Sequence, residues 1–162
     1  MKQKKGLSAI VTLMILILIT LSVGGIIFVA INKTVTKNLE SAESCYNIFE
    51  KVKINSEYTC YDSSSNETRF SIDVGDIEFQ EILVAISEED SSKNFKLTNE
   101  LQTISDLRNF NGSTQVKAPG KNSGDTYIAS NFSAKPLEIE IALIINGNTC
   151  GVSDSLSNIG NC

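Results

Sequence analysis

Residues 7–31 run for 25 positions without a charge, LSAIVTLMILILITLSVGGIIFVAI, behind the basic leader MKQKKG. A helix of that length spans roughly 38 Å at about 1.5 Å per residue, enough to cross a hydrocarbon core of about 30 Å with some tilt. It is apolar on every face, which excludes a surface helix with one buried stripe. Its interruptions are mild: Ser8, Thr12, Thr20 and Ser22 can bond back to helix carbonyls, and Gly24-Gly25 permits close backbone approach in lipid. The run is too long for a secretory signal peptide, whose apolar region covers about 7–15 residues. Phe28-Val29-Ala30 also lacks the small residue a cleavage site needs at its first position. A membrane helix is therefore expected over 7–31.

The helical period continues past that run. Ile31, Val35, Leu39 and Ala42 recur at three- to four-residue steps with Lys33, Thr36, Lys37 and Glu40 on other faces, and no Gly or Pro intervenes before Cys45. One helix is predicted over 7–46, apolar first and amphipathic afterwards. From residue 54 the period changes to two. Residues 69–74 alternate, 73–76 carry turn chemistry, and 77–79 alternate again before the apolar stretch 81–86 and the acidic loop 88–92. A short strand is expected at 94–98 and a helical turn around Ile104 and Leu107. Residues 115–118 precede a Pro119-Gly120 turn, 121–125 read as loop, and 126–129 as strand. The strongest strand is 137–145, alternating and then continuously apolar, hence central, and Asn146-Gly147 makes a tight turn toward Cys150. The expected fold class is α+β: a long N-terminal α-helix carrying a C-terminal antiparallel β-sheet or β-sandwich head. Three segments result, a basic leader (1–6), the helix (7–46) and a β-rich head (47–162).

Charge and cysteines bound the function. Net charge is −5, and without the three leader lysines 11 basic residues face 19 acidic ones, a net −8. An acidic surface without a basic cluster argues against nucleic acid. Cys45, Cys60, Cys150 and Cys162 all follow the helix, and their even number favours two disulfides in an extracytoplasmic head. Neighbour pairing is expected, Cys45 with Cys60 and Cys150 with Cys162. A zinc site is the rival, but there is no Cys-x-x-Cys and no His in the chain. Lys2, Lys4 and Lys5 before the helix agree with a cytoplasmic amino terminus and an extracellular head.

Enzyme chemistry has little to stand on. Without His there is no Ser-His or Cys-His pair, and no glycine-rich phosphate loop is present. No catalytic residue, cofactor or metal is expected. Asp73, Asp76 and Glu78, or Glu88, Glu89 and Asp90, are acidic groups without calcium-loop spacing, which reads as ordinary acidic turns. Asn-x-Ser/Thr occurs at Asn32, Asn66, Asn111 and Asn131. Asn66, Asn111 and Asn131 are the candidate glycan acceptors, the first two in loop-like contexts, while Asn32 lies at the membrane exit.

Lys4-Lys5-Gly6 directly before Leu7-Ser8-Ala9-Ile10 resembles the class III signal peptide of archaeal type IV pilins and archaellins. The resemblance covers about the first 31 residues. It implies removal of the leader between Gly6 and Leu7 by a prepilin peptidase, with the apolar helix retained. It further implies an assembly ATPase, a membrane platform protein and copies of the chain itself as partners in an extracellular filament. Val11 stands where bacterial type IV pilins carry a Glu, which points to the archaeal branch. The alternative is a monomeric membrane-anchored surface protein that binds a ligand and keeps its leader.

Overall fold

The computed structural model describes residues 4–46 and 50–162, with side chains over 11–35, 45–46 and 50–162. The chain divides into two compact units, one ending at Ala42 and one beginning at Glu43. Helix α1 (Lys4–Cys45) is a single 42-residue element. It begins three residues before the expected start, so the Gly6–Leu7 bond lies within the helix. The mild polar interruptions behave as expected: Thr20 Oγ1 donates to the Ile17 carbonyl at 2.9 Å and Ser22 Oγ to Leu18 at 2.7 Å. Their hydroxyls are thus satisfied inside the helix, as an apolar surrounding demands. Val11–Val35 is long and apolar enough to span a membrane, and none of it is buried in the protein. Ile31 and Val35 are exposed; Leu39 and Ala42, the other two members of the expected amphipathic stripe, have side chains outside the described residues.

The second unit is mostly β. Its strands are β1 (Val52–Ile54), β2 (Cys60–Asp62), β3 (Glu67–Val74), β4 (Glu81–Ser87), β5 (Ser92–Thr98) and β6 (Gln102–Thr103). They continue with β7 (Leu107–Asn109), β8 (Gln115–Val116), β9 (Ser123–Ala129), β10 (Glu138–Ile145), β11 (Asn148–Ser157) and β12 (Gly160–Asn161). A six-stranded sheet runs β12-β2-β3-β9-β7, with β1 also paired to β3; a four-stranded sheet runs β11-β10-β4-β5; β6 and β8 form a two-stranded pair. Every pairing is antiparallel except β12 on β2, where Gly160 faces Cys60.

Alternation dictates which face each strand buries. In β4, Ile82, Val84 and Ile86 point inward, and in β10 Ile139, Ile141, Leu143 and Ile145 do. They share one core cluster with Phe70, Ile72 and Val74 of β3 and Tyr127 and Ala129 of β9. β10 is central, as its sequence predicts, but it alternates to its end: Ala142 and Ile144 lie on the outer face. Asn146 (φ 52°) and Gly147 (φ 75°) both take the left-handed conformation that a two-residue hairpin between right-twisted strands requires.

Two local expectations fail for tertiary reasons, and one strand had no expectation at all. Around Ile104 and Leu107 a single hydrogen-bonded turn stands between β6 and β7 in place of a helical segment, because β7 finds a partner in β9. Residues 123–125 extend β9 although Ser, Gly and Asp read as loop; β3 pairs with them at Val74–Ser123, Asp73–Gly124 and Ile72–Asp125. The Asp73 carboxylate occupies the space a Cβ on Gly124 would need. The polar strand β11 has almost no sequence signal and is held by β10 along its length.

Candidate functional site

Within the second unit the four cysteines pair in a pattern that corrects the sequence reading. Cys45 is bonded to Cys150 and Cys60 to Cys162, with Cα separations of 5.5 and 5.0 Å; the neighbour pairs Cys45–Cys60 and Cys150–Cys162 do not form. The reason lies in the sheets. β12 runs beside β2, and the Cys162 amide donates to the Tyr61 carbonyl at 3.0 Å, which puts the last residue over Cys60. The Ile54 amide of β1 donates to Asp154 Oδ2 of β11 at 2.8 Å, so β11 stands next to the segment that follows the helix. Both bridges consequently span more than 100 residues. Among the described residues no cysteine is free.

The two acidic groups hold more structure than a solvated turn needs. Glu88 is buried, and its carboxylate accepts from the Ala134 amide (2.8 Å), Ser91 Oγ (2.7 Å) and Ser133 Oγ (3.1 Å). Burial alone would raise its carboxyl, but these donors outweigh burial and hold it below its ordinary value of 4.5. It is a staple fastening the β9–β10 connection to the β4–β5 turn. Lys93 fastens the same connection from the other side, reaching Asp106 Oδ2 (3.1 Å) and the Ser130 carbonyl (2.9 Å). In the other group, Asp73 accepts from Asn55 Nδ2 (2.8 Å) and Asp76 pairs with Lys121 (2.6 Å), while Glu78 is exposed. Among the described residues no three His, Cys, Asp or Glu side chains converge on a metal position.

The Glu88 staple makes stability depend on acid. Its carboxyl is depressed in the fold, so its contribution is complete above about pH 4.5 and lost as pH falls through the folded value. Glu88→Gln is expected to cost about 1–3 kcal/mol at pH 7, because an amide meets donors that a carboxylate satisfied. The loss of stability between pH 7 and pH 3 should then be smaller in the variant than in the wild type. Urea midpoints at a series of pH values measure both effects.

The candidate glycan acceptors differ in geometry. Asn111 is exposed in a turn, its Oδ1 accepting from the Ser113 amide at 2.9 Å. Asn66 is exposed, but its Oδ1 accepts from the Tyr61 hydroxyl, and Thr68, two residues on, is fully buried. Asn131 donates its Nδ2 to Asp106 Oδ1 at 2.6 Å, while Ser133 is engaged with Glu88. Only the Asn111 triplet combines an exposed asparagine and an exposed hydroxyl residue with contacts confined to its own turn.

No family model, no curated protein and no solved structure matches this chain at a significant level.

One surface feature was missed at the level of sequence. The outer face of the four-stranded sheet carries an open concavity of about 390 Å³ lined by Leu83, Ala85, Ala142 and Val152, with Lys96 and Glu140 at its margin. Small Ala85 and Ala142 sit on the outward positions of β4 and β10 and leave the hollow. Outward Ala and Leu within an otherwise alternating strand were the available signal. Lys96 pairs with Glu81 at 2.8 Å across the neighbouring strands.

Proposed function

We propose that the chain is a pilin-like structural subunit of an extracellular type IV pilus-like filament, held in the membrane by its helix before assembly. The observation that carries this reading is the continuity of the helix: α1 runs unbroken from the apolar run to Cys45, itself bridged to Cys150 of β11. A simple anchor needs apolar length only to the depth of the bilayer, whereas a subunit whose helices bundle needs a stiff connection to its head. The apolar side chains of Val11–Val35 are exposed all round, Ile17 at 47% and Ile26 at 71% marking the range. At about 25 cal/mol per Å2, keeping such a surface from water amounts to tens of kcal/mol, so lipid or neighbouring helices must cover it. Gly24 and Gly25 have open space where a Cβ would stand, which suits close helix contact.

In this reading the amino terminus is cytoplasmic and the disulfide-bonded head extracellular. The head takes a β-sandwich arrangement, a reading supported by the single core that the six- and four-stranded sheets share. A prepilin peptidase removes residues 1–6 after Gly6, and an assembly ATPase and platform protein drive extraction. Copies of the same chain are the main partners.

Two measurements test the proposal. Amino-terminal sequencing of surface-exposed protein should begin at Leu7, and Gly6→Leu should strand the precursor in the membrane. Leu16→Lys or Ile19→Lys should abolish filaments, since a charge at the centre of a membrane helix costs about 3 kcal/mol and a bundled core has no counter-charge. An intact Met1 on a surface-exposed, monomeric membrane protein would establish the anchored binding protein instead.

A further inference from the structure

The two disulfides cross: their partners alternate along the chain as 45, 60, 150, 162, with Cys45 joined to Cys150 and Cys60 to Cys162. From this connectivity we infer that the bridges form a retention device, which keeps the whole head covalently on the helix after its backbone is broken. The four cysteines divide the head into three intervals, 46–59, 61–149 and 151–161. A break in the first leaves the head attached through Cys45–Cys150. A break in the second leaves both halves attached, one by the backbone to Cys60 and the other through Cys150. A break in the third leaves the tail attached through Cys60–Cys162.

The crossed pattern goes further than one break. With one break in each of any two intervals, the remaining interval and the two bridges still join everything to residue 45. Neighbour pairing would shed the head after a single break in 61–149. Nested pairing, 45 with 162 and 60 with 150, would fall apart after breaks in 46–59 and 151–161. Only the crossed arrangement survives every such combination, and it separates when all three intervals are cut.

The same connectivity limits extension under load. The shortest covalent route from Cys45 to Cys162 passes through Cys150 and then only the residues after it. That route contains about 40 Å of contour at about 3.5 Å per residue, against about 400 Å for the unbridged backbone. Pulling between the helix and residue 162 can therefore unravel little of the β unit. Exposed residues outside the strands lie in every interval where a protease could reach: Glu50 and Lys51, Asn111 and Gly112, and Asn158 between β11 and β12. A head exposed outside the cell meets proteases and shear, and covalent retention answers both. The inference rests on the extracellular placement in the proposed function, but its test reads covalent connectivity in the purified full chain, so the two can fail separately.

The test uses full-length oxidised protein in detergent, with a site-specific protease sequence inserted at Glu50, at Asn111, at Asn158, or at two or all of them. After cleavage, the protein is denatured without reductant and sized. Every single cut and every pair of cuts should leave one covalent species of full mass that splits only on reduction, and the triple cut should give two species. The paired substitution Cys45→Ser/Cys150→Ser should release the head from the helix on cleavage at Glu50 alone. Release after the Asn111 cut alone, or after the Glu50 and Asn158 cuts together, would overturn the inference. Single-molecule pulling of the protein without insertions provides a second reading. The expected extension between helix and residue 162 increases about tenfold on reduction, and an equal extension before and after reduction would refute the device.

Discussion

Replacing Cys45 and Cys150 together by Ser is expected to lower the stability of the head by about 3.5–4.7 kcal/mol. The upper figure is the chain-entropy value for a lone loop of this bridge's 105-residue separation. The lower figure applies because the loops cross. With Cys60–Cys162 already closed, the shortest ring that the second bridge completes passes through 46–59 and 151–161, about 27 residues. The two paired variants should thus each cost about 3.5 kcal/mol with the other bridge present, and reduction of both should cost more than either. Denaturant titration of the full chain in detergent, followed by circular dichroism of the β signal, measures these differences. A change below about 1 kcal/mol in either pair would mean that the denatured state is already constrained elsewhere.

Phe70→Ala is expected to cost about 3–5 kcal/mol, the range for deleting a buried aromatic side chain. Phe70 and Tyr127 are fully buried on the adjacent strands β3 and β9, with ring centroids 5.4 Å apart. Their contact lies where the six-stranded sheet meets the common core, so the cavity has rigid strands on its sides and little freedom to collapse. Tyr127 adds a polar tie: its hydroxyl donates to the Lys117 carbonyl at 2.6 Å, and burial pushes its ionisation far above the usual range. Tyr127→Phe keeps the ring and loses only that bond, for about 1 kcal/mol. The ordering of the two variants in thermal or urea unfolding separates packing from hydrogen bonding at this point. If Tyr127→Phe proved the more harmful, the 115–118 segment, and not the ring pair, would be the element that holds this part of the head.

Some of the architecture is legible residue by residue. Residues 7–31 are apolar at every position, and hydropathy is additive along a helix, so a membrane-length helix follows without any partner. Residues 69–74 alternate strictly and 137–145 alternate over their first half, and a half-buried strand needs only its own pattern to declare which face is inward. Asn146-Gly147 likewise carries its turn in its own backbone preferences. What the sequence could not contain is the choice of neighbour. β11 and residues 123–125 are too polar to read as strands and become so because β10 and β3 offer them unpaired backbone groups. Glu88 reads as part of a solvated loop until Ser133 and Ala134, 45 and 46 residues away, close over its carboxylate. The cysteines are the clearest case. Their number and their position after the helix predict two bridges, but spacing along the chain favours the nearest partner, whereas β12 beside β2 and β11 beside β1 place Cys162 over Cys60 and Cys150 against Cys45. Local composition determined the membrane-length helix and the apolar strands; the pairing of strands distant in sequence, which depends on all of them at once, added the polar strands and decided how the head is closed.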